Sequence, residues 1–356
     1  MSKAVEIAAD TKWEVESLIA ETGVRIGRES HISVDELILG DGVEIGSNVV
    51  IDAERVELGY RARIGDGCRI AAIGGRGLRF RAGDHFFFGE RNISLLPTFA
   101  AGDYVSIHHD LLMNGYDACA IGHNTWIGQN CVLNATDELV IGNNVGIGAY
   151  TSIYTHAFNG ELLEGCQVFN KAPVTIADNA WLVGGYNVVS PGVTIGPRTM
   201  VLSSSVVSRD VPEGHCVGGI PARDLTDKIQ PFRDLSAEDR LELMRRFVVE
   251  FGEEVHPGQF ETSPSGILVT PEKRRQFFVE VHETLDQREL SGRGPGAVYV
   301  GTAEGLAELA EVTIFDLATK TYRKLRSEIE IELIQFMNGY RARFVPHDEP
   351  CIGIRA

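Results

Sequence analysis

Hydrophobic positions in this chain recur at neither the helical spacing nor the two-residue spacing of an ordinary strand. They return every six residues. Aliphatic anchors fall at Leu39, Ile45 and Ile51, then at Leu58, Ile64 and Ile70. A second block holds Ile121, Ile127, Leu133, Ile141, Ile147 and Ile153, and a third Ile176, Leu182, Val189, Ile195, Val201 and Val207. The step is six except where a run ends, as at Ile51–Leu58, Leu133–Ile141 and Leu182–Val189, where it slips by a residue or more. A six-residue period predicts short strands joined by tight corners, three strands to a triangular coil, with each anchor pointing into the prism. Successive coils then stack about 4.8 Å apart, as parallel strands do. Turn formers stand where corners are needed, in Asp41-Gly42, Gly65-Asp66-Gly67 and Gly142-Asn143-Asn144. The predicted fold is mainly β, a parallel β-helix.

The rhythm does not run the whole length. Residues 1–22 read as a helical lead-in, and the β-helix is expected over 23–224. From Ala71 to Ala101 the period fades around Gly74-Gly75-Arg76-Gly77 and Phe86-Phe87-Phe88, which suggests irregular coils with an outward loop. A second excursion, between Ala157 and Pro173, leaves directly after His156. Long loops in compact domains are usually functional or mobile. Beyond Pro212 the repeat stops, and 232–356 reads as a small α/β domain of unknown role. Ser236-Ala-Glu-Asp239 is a capping box ahead of Leu241, Met244, Val248 and Phe251 at helical spacing. Thr270-Pro271 predicts a helix through Phe277, Val281 and Leu285. Strands are expected at 297–300 and 312–315 with a short helix from Thr302 between them. A helix over 327–336 and a last strand at 342–345 complete the domain.

Composition narrows the function. A net charge of −17 argues against nucleic-acid or anionic-membrane partners, which need basic patches. The N-terminal stretch has no apolar run of signal-peptide length and no segment approaches a membrane span, so a cytoplasmic protein is expected. The six cysteines form no CxxC pair and have no zinc-like spacing; they are expected to be reduced, and no metal is implied.

Residues 121–224 resemble the hexapeptide-repeat acyltransferases, in particular the galactoside, maltose and xenobiotic acetyltransferases. Four landmarks carry the likeness in order. They are Ile153-Tyr-Thr-His156, the loop after it, the block from Trp181 through Pro191-Gly-Val-Thr-Ile-Gly196, and the tail Ser205-Val-Val-Ser-Arg-Asp-Val-Pro212 with Gly218-Gly-Ile-Pro-Ala222. The resemblance implies a left-handed coil, acetyl-CoA as acyl donor, no metal, and a homotrimer with each site between two prisms. It implies that His156 is the general base for direct attack on the thioester by an acceptor, the hydroxyl of a sugar, glycan precursor or small natural product. Trp181 resembles the tryptophan lining the acceptor or thioester channel, though packing alone would also explain it. Gly184, Gly185, Ser203, Ser204, Gly219 and Ala222 sit where the family runs backbone along the pantetheine arm, and Arg209 and Arg223 where it carries cations near the CoA phosphates. Small residues also suit plain corners, and both arginines suit plain solvent. Counting anchors stacks Leu133 on Ile153, so Asn134, Asp137 and Tyr154 are expected to share the cleft with His156. The extra residue in Leu182-Val183-Gly184-Gly185 departs from the family pattern and predicts a bulged corner.

Three other readings stand beside this one. N-acetylation of an amino sugar needs the same base. A γ-class carbonic anhydrase-like protein is suggested by Ser106-Ile-His108-His109 and Ile121-Gly-His123, but the third histidine position holds Asn114, a poor zinc ligand. A non-catalytic scaffold would leave His156 and its loop without a purpose.

Overall fold

The computed structural model describes residues 5–75, 77–272, 275–285, 297–302, 312–339 and 341–347. Contacts divide the described residues into two units, one reaching to Phe232 and the other running from Arg233 on.

The first unit is a left-handed parallel β-helix. Its first face is a parallel ladder running from Val5–Ile7 to Cys216–Gly218. The second and third faces join through Val50–Leu58, a strand that passes round a corner. The inward residues of the first face are Ile26, Ile45, Ile64, Phe88, Ile107, Ile127, Ile147, Leu182 and Val201, each in register with the next. All the anchors named from the sequence are at most 2% exposed. Burying such a side chain contributes roughly 1.5–3 kcal/mol, so the stacked column is the main source of stability.

Two corners of the prism are built alike in successive coils. At each, one residue adopts a left-handed backbone and donates its N–H to a carbonyl one coil earlier. One column runs through Asn130, Tyr150, Tyr186 and Ser204, the other through Asn124, Asn144, Asn179 and Arg198. Asparagine tolerates this conformation, and the second column is tied by a side-chain ladder, Asn124 to Asn144 at 3.1 Å and Asn144 to Asn179 at 3.2 Å.

The lead-in is not helical. Val5–Ile7 and Lys12–Ala20 are strands, the latter paired in parallel with His31–Leu39, so the first coil begins at the first described residues. Residues 71–101 are also more regular than expected. Arg79–Ala82, Phe87–Phe88, Ile93–Leu95 and Thr98–Ala101 take normal places in the ladders, and the interruption is confined to the segment after Ala71. The core there is aromatic: Phe80 stacks on Phe99 at 4.6 Å with Phe86 and Phe88 beside them.

Among the described residues the second unit has a seven-stranded mixed sheet. Helix Ala237–Val255 opens on the Ser236–Asp239 capping box and packs on strands Gly266–Val269 and Phe277–Thr284. Helix Glu328–Asn338 buries Ile329, Leu333 and Phe336. The helix predicted from Pro271 is instead the strand Phe277–Thr284. The strand expected at 342–345 is Val345–Pro346, the last among the described residues. The helix expected from Thr302 lies outside the described residues. No helix among the described residues is long and apolar enough to cross a membrane.

Candidate active site

His156 starts the strand His156–Phe158, where the chain leaves the prism between its second and third faces. That strand pairs antiparallel with Phe169–Lys171, so the excursion is a hairpin rooted beside the histidine. Phe158 lies against the imidazole at 4.8 Å and stacks on Phe169 at 4.4 Å. The hairpin exposes Leu162, Leu163 and Val168.

Asn134 is hydrogen-bonded to His156. Leu133 pairs with Ile153, as anchor counting predicts, and the buried Asn134 carboxamide sits 2.7 Å from the imidazole, Oδ1 to Nδ1. Backbone groups fix which way the carboxamide points. Its Nδ2 donates to the Asn114 carbonyl at 3.2 Å, and its Oδ1 accepts from the Thr136 N–H at 3.3 Å. The buried Thr155 hydroxyl bonds to the Asn134 carbonyl at 3.1 Å and accepts from the Asp137 N–H at 2.9 Å. With Oδ1 facing it, the neutral imidazole carries its hydrogen on Nδ1 and its lone pair on Nε2. Such a ring accepts a proton at Nε2.

Tyr154 is half-buried beside Asn134 in the next coil, and the Asp137 carboxylate accepts the Glu138 N–H at 2.8 Å. Trp181 stands apart from these. It lies on the first face, where its ring covers Gly146 so closely that a Cβ there would meet Cε3 at 2.3 Å. Within one chain, His156 and Trp181 are on different sides of the prism.

The small residues do come together. Gly184 abuts Ser203, and the Ser204 N–H donates to the Gly185 carbonyl at 2.9 Å. Gly219 donates to the Ser205 hydroxyl at 3.0 Å, and the Ala222 N–H to the Val206 carbonyl at 2.9 Å. These form a staircase of successive corners. Val183 is 40% exposed and Gly184 has φ of +73°, the bulge expected from the extra residue. Arg209, Ala222 and Arg223 line one cavity of about 230 Å³ with Ser208 and Pro221. Asp210 and Asp224 line it too. Hydrogen bonds from the Thr226 hydroxyl and N–H, with His215 beside it, hold the Asp224 carboxyl down at about 2.

Two features escaped the sequence reading. Tyr150 and Tyr186 stack at 5.0 Å, both exposed, on the corner shared with Gly185 and Ser204. His108 and Trp126 form a hydrogen-bonded pair on the first face. The signal for Trp126 was available, since it precedes the anchor Ile127 as Trp181 precedes Leu182.

The histidines of the zinc-like segment use their lone pairs in protein hydrogen bonds. His123 Nδ1 accepts from the Asp103 N–H and His109 Nδ1 from the Glu90 N–H, both at 2.9 Å, and His108 Nε2 accepts from Trp126 Nε1 at 2.7 Å. Among the described residues no group of three or more His, Cys, Asp or Glu is placed to hold a metal ion.

No family model matches the chain. It is 30% identical over 130 residues to galactoside O-acetyltransferase of Escherichia coli K12, covering 33% of this chain and 63% of that protein. The chain thus spans just under two thirds of that relative's length. It is 32% identical to a hexapeptide-repeat-containing acetyltransferase from Vibrio cholerae of known structure, covering 39% of this chain and 72% of that one, with a TM-score of 0.28. The same acetyltransferase crystallised with acetyl-coenzyme A is 31% identical, covering 39% of this chain and 69% of that one, with a TM-score of 0.27. Superpositions that loose carry no argument of their own; the sequence identity and the repeat do. On those grounds the chain belongs to the hexapeptide-repeat, left-handed β-helix acyltransferase superfamily.

Proposed function

We propose that the chain transfers an acetyl group from acetyl-CoA to a hydroxyl of a sugar, glycan precursor or small natural product. The observation that carries this reading is the 2.7 Å contact between His156 Nδ1 and an Asn134 oxygen whose orientation backbone groups dictate. His156 Nε2 takes the proton of the acceptor hydroxyl as its oxygen attacks the thioester carbonyl. The tetrahedral oxyanion collapses, the carbon–sulfur bond breaks, and the imidazolium returns the proton to the departing thiolate. Asn134 holds the tautomer and orientation that this needs.

The staircase of small residues supports the donor site, because a corner without a bulky side chain lets an extended thioester arm lie against the backbone. Arg209 and Arg223 supply cations for its phosphates. The separation of His156 and Trp181 within one chain supports a site shared by two copies, and we assign the active form as a homotrimer. A cytoplasmic location belongs to the same reading, since acetyl-CoA is a cytoplasmic metabolite.

The test is an acceptor screen that follows free thiol released from acetyl-CoA, run beside His156→Ala and Asn134→Ala. His156→Ala is expected to lose about a hundredfold or more in turnover with CoA binding retained. Asn134→Ala should lower kcat more than it raises KM. Unchanged turnover in His156→Ala would remove the base and this mechanism with it.

A further inference from the structure

The outward residues of the first face form one register: Glu6, Arg25, Glu44, Arg63, Phe87, Ser106, Trp126, Gly146, Trp181 and Met200. The first four alternate in sign, and Glu44 pairs with both Arg25 and Arg63. The ladder then turns aromatic. Phe87, Trp126 and Trp181 are each half-buried, separated by Ser106 and Gly146. From Phe87 to Trp181 the strip covers four coil steps, about 19 Å at the usual inter-strand spacing.

Two imidazoles line its upstream end. His108 lies between the flanking rings, 6.3 Å from Phe87 and 5.2 Å from Trp126, and His109 is 6.2 Å from Phe87. An indole nitrogen only donates, so the 2.7 Å bond from Trp126 Nε1 makes His108 Nε2 the acceptor and puts the hydrogen on Nδ1. The bond from the Glu90 N–H does the converse for His109, leaving its hydrogen on Nε2. Burial and the neighbouring His109 hold His108 below the ordinary histidine range, so it stays neutral. Phe87 and His109 also border a groove of about 830 Å³ that continues past Arg63 and Glu44.

Flat apolar rings beside oriented imidazole N–H donors match a sugar, which offers an apolar C–H face and a rim of hydroxyl acceptors. An anionic ligand fits poorly, because the adjoining groove sets the carboxylates of Glu6, Glu44, Asp66 and Glu90 against the guanidinium groups of Arg25 and Arg63 alone, and Glu44 engages both of these. We propose that the strip Phe87–His108–Trp126–Trp181 is a binding surface for a neutral oligosaccharide, and that this is the acceptor chain. The assignment to the acceptor rests on the acyltransfer reading above; the binding surface itself does not.

The experiment probes the full-length protein with an array of neutral malto-, cello-, galacto- and chito-oligosaccharides alongside sialylated and uronic oligomers. It is followed by titration calorimetry with the strongest neutral hexamer and, separately, with acetyl-CoA. At least one neutral series should bind, more tightly as the chain lengthens. Trp126→Ala should weaken it about tenfold or more, and Trp126→Phe, which keeps a ring and guards against a folding defect, should weaken it less. The inference is overturned if only acidic oligomers bind, if no neutral series binds, or if Trp126→Ala leaves binding unchanged. It is also overturned if the variant falls to a smaller oligomer by light scattering without wild-type saccharide binding, which would make the strip a contact between copies. Acetyl-CoA binding without saccharide binding removes this inference alone; saccharide binding without acetyl-CoA binding removes the acyltransfer reading and leaves the strip.

Discussion

A carboxamide one coil upstream decides which nitrogen of His156 carries the hydrogen, and the base proposed for that imidazole needs Nε2 bare. Residue-scale environment also sorts the cysteines. Burial pushes the Cys68 and Cys131 thiols up to about 11 and that of Cys119 up to about 12, whereas Cys166 lies partly exposed on the hairpin. Only the thiolate is nucleophilic. Iodoacetamide at pH 8, followed by peptide mass spectrometry, should therefore label native Cys166 well before the other three; equal rates would mean the coils open readily. Asn134 was legible in the sequence because anchor counting fixes which coil stacks on which. The direction of its carboxamide was not, since that depends on the Asn114 carbonyl and Thr136 N–H, groups that no side-chain pattern reveals.

Coils make their own demands on sequence. An ideal Cβ at Gly148 would stand 1.4 Å from the Gly184 carbonyl oxygen, backbone that cannot turn aside. Gly148→Ala is expected to destabilise the β-helix by about 3 kcal/mol or more and to disturb the adjoining staircase. Gly214 has φ of +73° but nothing within 4 Å of such a Cβ, so Gly214→Ala should cost only about 1–2 kcal/mol of backbone strain. Thermal melts of the two variants check the contrast. The period faded over 71–101 because the inward positions there hold Phe80, Phe99, Ala82, Ala101 and even Ser94 in place of aliphatic anchors. The strand at Phe277 was read as a helix because Phe277 and Val281 are four apart, a spacing that serves both a helical face and one side of a strand. Val279, buried between them, breaks the tie. The first coil failed similarly: Val15, Leu18 and Ile19 suit a helix, whereas only stacking on Val34, Leu37 and Ile38 makes them a strand.

At the scale of the molecule, every residue assigned to the donor, the base or the strip lies in the first unit. A fragment ending at residue 232 should accordingly fold and bind acetyl-CoA as the full chain does, by calorimetry; loss of binding would give the second unit a part in the donor site. Two units were expected because the six-residue period stops beyond Pro212 and helical spacing begins after Ser236. One consequence follows from the even pitch of the early coils. Ile26, Ile45 and Ile64 are spaced at 19 residues and share one register. A whole turn can therefore be excised or duplicated there with every other rung left in place. The reach of the prism is then a graduated quantity, adjustable in single notches while the histidine downstream is left as it was.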